Sequence, residues 1–337
     1  LVAAVARRLR LRAREAPYQP SAVFTDVGFK LKRTTRLYSG RLRRAVAMEG
    51  GQWLWPPGEV GHAHLLPDLT APGVTTRVVT LSLKPLVVEV ENFLSPDEAK
   101  HIWTRAEPHM EKSGVALKDA DKGKAAKEFR TSSQYFLPTT NDPILERVDE
   151  RVQYLTRLPI SHAEYIQVLK YHHLEHYSAH HDFFNPREYA NNPQMLREVE
   201  GGARNRLATV FFYLNNVSRG GETNFPRAQT ASHPEGGPVL RDDLIQTAAA
   251  RPRPTAPDPR PTPARPRRTA PDLARPRPIS PGLPPQVPRD YFDCSQGLSV
   301  FPQEGKVIIF YSMLPNGEMD EYSLHGELST HRPPTPA

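Results

Sequence analysis

The segment that decides the fold is YIQVLKYHHLEHYSAHHDFF, which covers residues 165–184. Its first part, from Tyr165 to Tyr171, is a run of β-branched, aromatic and long apolar side chains typical of a β-strand. Its second part holds five histidines between positions 172 and 181, a density that composition alone does not explain. The two features together predict a strand that leads into a metal-binding segment.

One interpretation of these histidines takes residues 177–183 as extended backbone. His180 and Asp182 then lie two residues apart and point to the same face of a strand. With one distant histidine they would form a two-histidine, one-carboxylate triad, which leaves adjacent coordination positions open for a co-substrate and oxygen. His325, in the sequence YSLHG after a strand-like run, is the natural third ligand.

A rival interpretation uses the residues from His172 to His176, which fit the H-x-x-E-H pattern of a zinc peptidase. That motif requires a helix to bring both histidines onto one face. The strand-like run before it and Pro186 after it leave little room for a helix, so the triad is favoured. A third interpretation treats the histidines as surface residues that bind no metal. His172, His173, His176 and His181 match no ligand position and are expected to be solvated.

Short periodic segments surround this region. Order is predicted to begin near Leu81, with a strand over residues 86–93 and a helix that starts after an N-cap at Ser95. A second helix is predicted from Pro143 to about Thr156. Further strands are predicted over residues 207–214, 298–301 and 307–311. Short strands with turn signals between them predict a mainly β sandwich or jelly roll with the two helices packed outside.

The formal net charge of +7 is concentrated in two segments. Residues 1–45 hold twelve Lys and Arg against two acidic residues, and residues 251–290 hold nine Arg against three Asp, together with fourteen prolines. The rest of the chain is net negative, which argues against a nucleic-acid partner. Residues 231–290 are interpreted as a disordered Pro/Arg-rich insert within a domain over residues 81–337, and residues 1–80 as a basic N-terminal region without an assigned function.

Cysteine usage and hydropathy exclude several other classes of protein. Cys294 is the one cysteine of the chain, so an intrachain disulfide and a thiolate zinc site are excluded. No apolar run reaches the roughly 18 residues that suggest a membrane span, so none is expected in the chain as given. The sequence starts at Leu1 without a methionine, which is compatible with a longer precursor or a removed leader.

Several segments resemble the catalytic domain of prolyl 4-hydroxylase alpha subunits, which belong to the Fe(II)/2-oxoglutarate-dependent dioxygenase superfamily. The resemblance covers roughly residues 81–326 without the insert. The segments that carry it are RTSS (130–133), QVLKY (167–171), YSAHHDFF (177–184), RLATVFFYL (206–214), GGETNFP (220–226), GLSV (297–300), Pro302, Gly305 and SLHG (323–326).

The resemblance implies a double-stranded β-helix in which His180, Asp182 and His325 hold Fe(II) and form the catalytic centre. It implies 2-oxoglutarate and ascorbate as cofactors and O2 as a co-substrate, with Tyr171 and Thr209 near the 2-oxoglutarate carboxylate. The implied reaction is the hydroxylation of peptidyl proline to 4-hydroxyproline in a proline-rich peptide or protein. The implied compartment is the endoplasmic reticulum.

The C-terminal tail departs from the pattern of that family. A lysine that pairs with the far carboxylate of 2-oxoglutarate is expected about ten positions after the distal histidine, where this chain has Thr335. The three prolines of the tail cannot pair in a sheet centre, so the last strand is expected to be missing, and Arg332 is a candidate substitute for the lysine. An unpaired buried carboxylate costs on the order of 3–5 kcal/mol. A catalytically impaired metal- or peptide-binding homologue therefore stays open as an alternative, as does a related hydroxylase with another substrate.

Overall fold

The computed structural model describes residues 20–25, 28–31, 45–49, 52–228 and 297–327. Three expectations from the sequence lie outside these residues: the disordered insert at 231–290, the missing last strand and the role of Arg332. Within the described ranges no helix has the length and apolar character needed to cross a bilayer.

The regular elements of the described chain are short strands and three α-helices. The helices are α1 (Pro96–Ala106), α2 (Pro143–Thr156) and α3 (Pro193–Glu198). The strands are β1 (Pro20–Thr25), β2 (Ala45–Glu49), β3 (Ala63–Pro67), β4 (Thr75–Leu83), β5 (Leu86–Val90), β6 (Glu111–Lys112), β7 (Ser133–Leu137), β8 (Ile166–Lys170), β9 (Tyr177–His180), β10 (Ala208–Phe212), β11 (Thr223–Phe225), β12 (Leu298–Val300), β13 (Val307–Tyr311) and β14 (His325–Glu327).

All paired strands in these sheets are antiparallel, and along the chain from β9 to β14 the strands pass back and forth between two sheets. The larger sheet has the order β10-β13-β5-β4-β3, and a four-stranded sheet has the order β12-β11-β14-β9. Strand β9 lies in the smaller sheet, β10 in the larger, β11 and β12 in the smaller, β13 in the larger and β14 in the smaller. This alternation is that of a double-stranded β-helix, so the predicted jelly roll is confirmed. The remaining sheets are β6-β7-β8 and β1-β2.

Strand β13 lies at the centre of the core, because all five of its residues are buried. Val307 and Ile309 belong to the large core that includes helices α1 and α2. Ile308 and Phe310 point the other way, into a second cluster with Phe225. A strand covered on both faces reads as a continuous apolar run, as the sequence of β13 does.

Both predicted helices are present and are capped by their own side chains. The Ser95 hydroxyl accepts from the backbone N–H of Glu98 at 3.2 Å, and the Glu98 carboxylate accepts from the Ser95 N–H at 2.9 Å. Asp142 accepts from the backbone N–H of Ile144 at 3.1 Å. Such caps satisfy N–H groups that have no partner within a helix. They fix the starts of α1 and α2 at the predicted residues.

The prediction that order begins near Leu81 is wrong, because β3 and β4 precede it and extend the larger sheet. Three buried positions of β4 are Thr76, Thr80 and Ser82. Their hydroxyl side chains face inward, so the alternation of buried and exposed positions is invisible to an apolar pattern. The larger sheet therefore runs across position 80, while the assignment of residues 1–80 and 81–337 as separate regions stays a prediction.

Candidate metal centre

Three side chains with metal-ligand chemistry converge between β9 and β14. These strands are neighbours, and His325 is the register partner of His180. The Nε2 atom of His180 lies 3.5 Å from one oxygen of Asp182, and the Nε2 atom of His325 lies 3.7 Å from the other. The three ligand atoms all lie within 4.8 Å of one another. The structure thus brings together the three residues that the sequence singled out.

The backbone fixes how both imidazoles face this cluster. The Nδ1 atom of His180 lies 2.9 Å from the carbonyl oxygen of Ser178, and the Nδ1 atom of His325 lies 2.9 Å from the carbonyl oxygen of Ser323. A carbonyl oxygen only accepts, so both Nδ1 atoms carry the hydrogen. The lone pair of each Nε2 then points towards Asp182 and is available to a metal.

The carboxylate of Asp182 is oriented and kept ionised by its neighbours. The Thr209 hydroxyl donates to one of its oxygens at 2.5 Å. Burial alone raises the pKa of Asp182, but attraction to His325 and hydrogen bonding to His180 outweigh burial and lower the pKa well below its usual range. Burial lowers the pKa of His325. At neutral pH Asp182 therefore stays ionised, the state in which a carboxylate ligates a cation.

The donor set fits a ferrous ion. Two imidazole nitrogens and one carboxylate oxygen form the facial triad of non-haem Fe(II) oxygenases, in which the other coordination positions stay open. Burying a carboxylate is costly unless it is paired or coordinates a metal, and Asp182 here faces two imidazoles. Apolar rings pack behind the site, since Phe310 and Phe225 lie 4.4 Å and 5.6 Å from the His325 ring centroid.

The residues predicted to contact 2-oxoglutarate have different positions. Thr209 contacts the metal cluster through its hydrogen bond to Asp182. Tyr171 follows the end of β8, and its hydroxyl donates to an oxygen of Glu327 at 3.3 Å. Burial, with the negative charge of Glu327, raises the pKa of Tyr171 well above its usual value. The 2-oxoglutarate contacts of both residues stay predictions.

The zinc-peptidase interpretation is wrong. Residues 172–176 form a turn, not a helix, and Leu174 has a left-handed backbone with φ of 67°. His172 and His176 therefore do not share a helical face. His172 and His173 are exposed as expected.

His181 corrects a second expectation, because it is not solvated. Its side chain is 10% exposed, and its Nε2 atom lies 3.2 Å from the Glu321 carbonyl oxygen. Burial lowers the pKa of His181 to about 3. Its ring stacks on Phe183 with centroids 4.5 Å apart, so it serves as a neutral packing residue.

Sequence reasoning assigned no role to two further side chains beside the cluster. The Tyr177 ring stacks on His180 with centroids 3.7 Å apart, and the guanidinium of Arg130 lies 4.3 Å from the centroid of the Tyr177 ring. Arg130 is 6% exposed. An isolated β-bridge between Arg130 and Tyr177 brings them together. That contact joins distant parts of the sequence, and no local pattern marks it.

The chain is similar in sequence to several plant prolyl 4-hydroxylases. The chain is 29% identical over 252 residues to probable prolyl 4-hydroxylase 4 of Arabidopsis thaliana, a match that covers 74% of the chain and 65% of the relative. It is 31% identical over 253 residues to probable prolyl 4-hydroxylase 7 of the same plant, covering 74% and 60%. The chain thus spans slightly less than two thirds of the length of these relatives. No family model matches the chain.

Among solved structures, a viral collagen prolyl hydroxylase from Paramecium bursaria Chlorella virus-1 aligns with a TM-score of 0.37 and 14% identity, covering 72% of this chain and 87% of that one. At this level of similarity, the fold rests on the strand order described above. That strand order and the His180, Asp182 and His325 cluster are typical of the Fe(II)/2-oxoglutarate-dependent dioxygenase superfamily. In sequence, the chain is similar to prolyl 4-hydroxylases over about three quarters of its own length.

Proposed function

We propose that the chain hydroxylates peptidyl proline to 4-hydroxyproline as a Fe(II)- and 2-oxoglutarate-dependent dioxygenase. The observation that carries the proposal is the convergence of His180, Asp182 and His325 within 4.8 Å. Homology to the prolyl 4-hydroxylases supports the reaction and the substrate class.

Each residue of the cluster has a defined task in this proposal. His180 and His325 would hold Fe(II) through Nε2, and Asp182 would hold it through its carboxylate, which Thr209 keeps oriented. When bound, Fe(II) with 2-oxoglutarate supplies an O2-dependent oxidation that places one oxygen atom in the substrate C–H bond and the other in succinate, with loss of CO2. The protein contributes ligand orientation and a largely buried site.

The remaining parts of the proposal rest on homology and composition. Ascorbate would keep the metal ferrous, and the endoplasmic reticulum is the proposed compartment. A proline-rich peptide or protein is the proposed partner, and the net negative charge of the chain outside its two basic segments argues against nucleic acid.

A catalytically impaired homologue that binds metal or peptide is the second candidate. The observation that favours it is Thr335, which stands where the resemblance implies a lysine. Arg332 stays the proposed substitute for that lysine. Metal binding without turnover would distinguish this candidate from an active enzyme.

The test is a reconstituted reaction of the full chain with Fe(II), 2-oxoglutarate, ascorbate and a poly-proline peptide. We expect succinate release together with a peptide mass increase of one oxygen atom per hydroxylated residue. Asp182→Ala is expected to abolish both signals, while His172→Ala, which alters an exposed histidine, is expected to leave both unchanged. Fe(II) binding without either signal at high 2-oxoglutarate would reject the enzyme and favour the second candidate.

A further inference from the structure

The carboxylate of the metal cluster lies outside the strand that carries the first histidine. Strand β9 ends at His180, and Asp182 and Phe183 lie in the bend that follows it. The pairing of β9 with β14 therefore fixes His180 opposite His325 but does not fix Asp182. A metal ligand has to be held to within about 0.5 Å of its productive position. Contacts from another part of the chain must hold Asp182 in place.

One such contact is a side-chain amide that binds the backbone of the bend twice. The backbone N–H of Phe184 donates to Oδ1 of Asn205 at 2.9 Å, and Nδ2 of Asn205 donates to the carbonyl oxygen of Phe184 at 2.8 Å. A backbone N–H only donates and a carbonyl oxygen only accepts, so the two bonds together fix which way the amide faces. Phe184 thus has the pair of hydrogen bonds that a residue exchanges with its partner in an antiparallel ladder.

Asn205 is itself tied to the strand that also holds the Asp182 carboxylate. The backbone N–H of Arg206 donates to Oδ1 of Asn205 at 3.0 Å, and β10 begins two residues after Arg206. Thr209, on β10, donates from its hydroxyl to the carboxylate of Asp182. One short segment therefore contacts the bend at two points, at the backbone of Phe184 and at the side chain of Asp182.

We propose that Asn205 is a positioning residue, which holds the backbone of the bend so that the Asp182 carboxylate faces the two imidazoles. The two contacts act on different parts of the ligand. The hydrogen bond from Thr209 sets the rotation of the carboxylate, whereas Asn205 sets the place of the backbone that carries it. Substitution of Asn205 leaves His180, Asp182 and His325 in the chain and changes only their mutual geometry. The inference rests on the metal site of the proposed function, and not on the reaction carried out there.

The test is titration of the full metal-free chain with Co(II), followed by visible absorption, which reports both the affinity and the geometry of the ligands. Asn205→Ala is expected to weaken Co(II) binding by roughly 10–100-fold, as is typical of residues that orient a ligand, and to alter the Co(II) spectrum. Asn216→Ala is the matched control, because Oδ1 of Asn216 also accepts from the backbone N–H of a distant residue, Glu304, at 3.0 Å. This control is expected to change neither the affinity nor the spectrum.

A second background separates positioning of the ligand from general support of the fold. In Asp182→Ala the carboxylate that Asn205 would position is gone. Adding Asn205→Ala to Asp182→Ala is therefore expected to weaken Co(II) binding by less than about twofold further, since two residues that act through one contact are not additive. A residue that only supports the fold would give the same fold-loss in both backgrounds.

Asn205→Gln is a milder variant that carries the test if Asn205→Ala does not fold. It keeps the donor and the acceptor but moves them by one methylene, and is expected to weaken Co(II) binding by about tenfold. Unchanged Co(II) affinity and spectrum in a folded Asn205 variant overturn the inference, and so does an equal loss in both backgrounds. Failure of the proposed function has another signature: an unaltered chain that binds Co(II) but, with Fe(II) and 2-oxoglutarate, hydroxylates no prolyl peptide.

Discussion

Two histidine-rich segments stand next to each other in this chain, and only one contributes to the metal cluster. Residues 172–176 hold three histidines in a turn, and two of these are exposed. Residues 177–182 hold two, and one of these faces Asp182 and His325. The extended backbone of β9 and its pairing with β14 make the difference. Histidine density marks a region, whereas strand geometry selects the ligand.

Removing a metal ligand is expected to give the largest difference in metal affinity between variants of the two segments. His180→Ala or His325→Ala is expected to weaken Fe(II) or Mn(II) affinity by about a thousandfold, more than the roughly 10–100-fold typical of residues that only orient a ligand. His172→Ala and His173→Ala are expected to have no effect. Calorimetric metal titration under anaerobic conditions measures all four variants. Equal losses of metal affinity from variants in both segments would contradict the assignment of the ligands.

Packing behind the metal cluster can be tested by comparing a buried ring with an exposed one. Phe310 is fully buried and contacts the His325 ring, so Phe310→Ala should lower the free energy of unfolding by about 3–5 kcal/mol. Tyr165 is 62% exposed, and Tyr165→Ala should change the free energy by less than about 0.5 kcal/mol. Urea denaturation of the metal-free chain tests this. Similar urea midpoints for both variants would show that Phe310 does not stabilise the packing behind the His325 ring.

The pH dependence of stability tests the burial of His181. The folded pKa of His181 is lowered to about 3, so between pH 3 and its ordinary value near 6.5 the unfolded chain binds more protons. The contribution of His181 to stability is therefore fully present above about pH 6.5 and is lost as pH falls, by about 1.4 kcal/mol per unit. His181→Gln should flatten this dependence in denaturation series from pH 4 to 7, measured beside the unaltered chain.

The smallest expected effect on stability comes from the left-handed backbone at Leu174, within the turn of residues 172–176. Leu174 is exposed and has φ of 67°, a conformation that costs an L-residue roughly 1–2 kcal/mol and glycine almost nothing. Leu174→Gly is expected to raise the free energy of unfolding by up to about 1 kcal/mol, without changing metal affinity. Thermal denaturation with a parallel metal titration checks both results. A loss of stability would mean that residues 172–176 do not form this turn.

Much of the fold could be read from local pattern. Helix α2 and strand β13 have the predicted bounds, because an amphipathic helix and a doubly buried strand leave clear periodic signals. Strand β4 left no such signal, since hydroxyl side chains occupy its buried positions. His181 was misjudged for a related reason: its burial depends on Phe183 and on the Glu321 carbonyl, which belong to different parts of the chain.

The sequence alone determined that His180 and Asp182 stand two residues apart, and it predicted that they share a strand face. In the structure β9 ends at His180, and Asp182 lies in the bend that follows it. The sequence also supplied His325 as a candidate, through motif and resemblance. Only the tertiary structure decided that His325 meets them, because the pairing of β9 with β14 joins distant residues. The same holds for Tyr171 and Glu327, which are 156 positions apart and hydrogen-bonded. Side-chain periodicity is a property of neighbouring residues, whereas the side chains that meet inside the jelly roll depend on which strands pair.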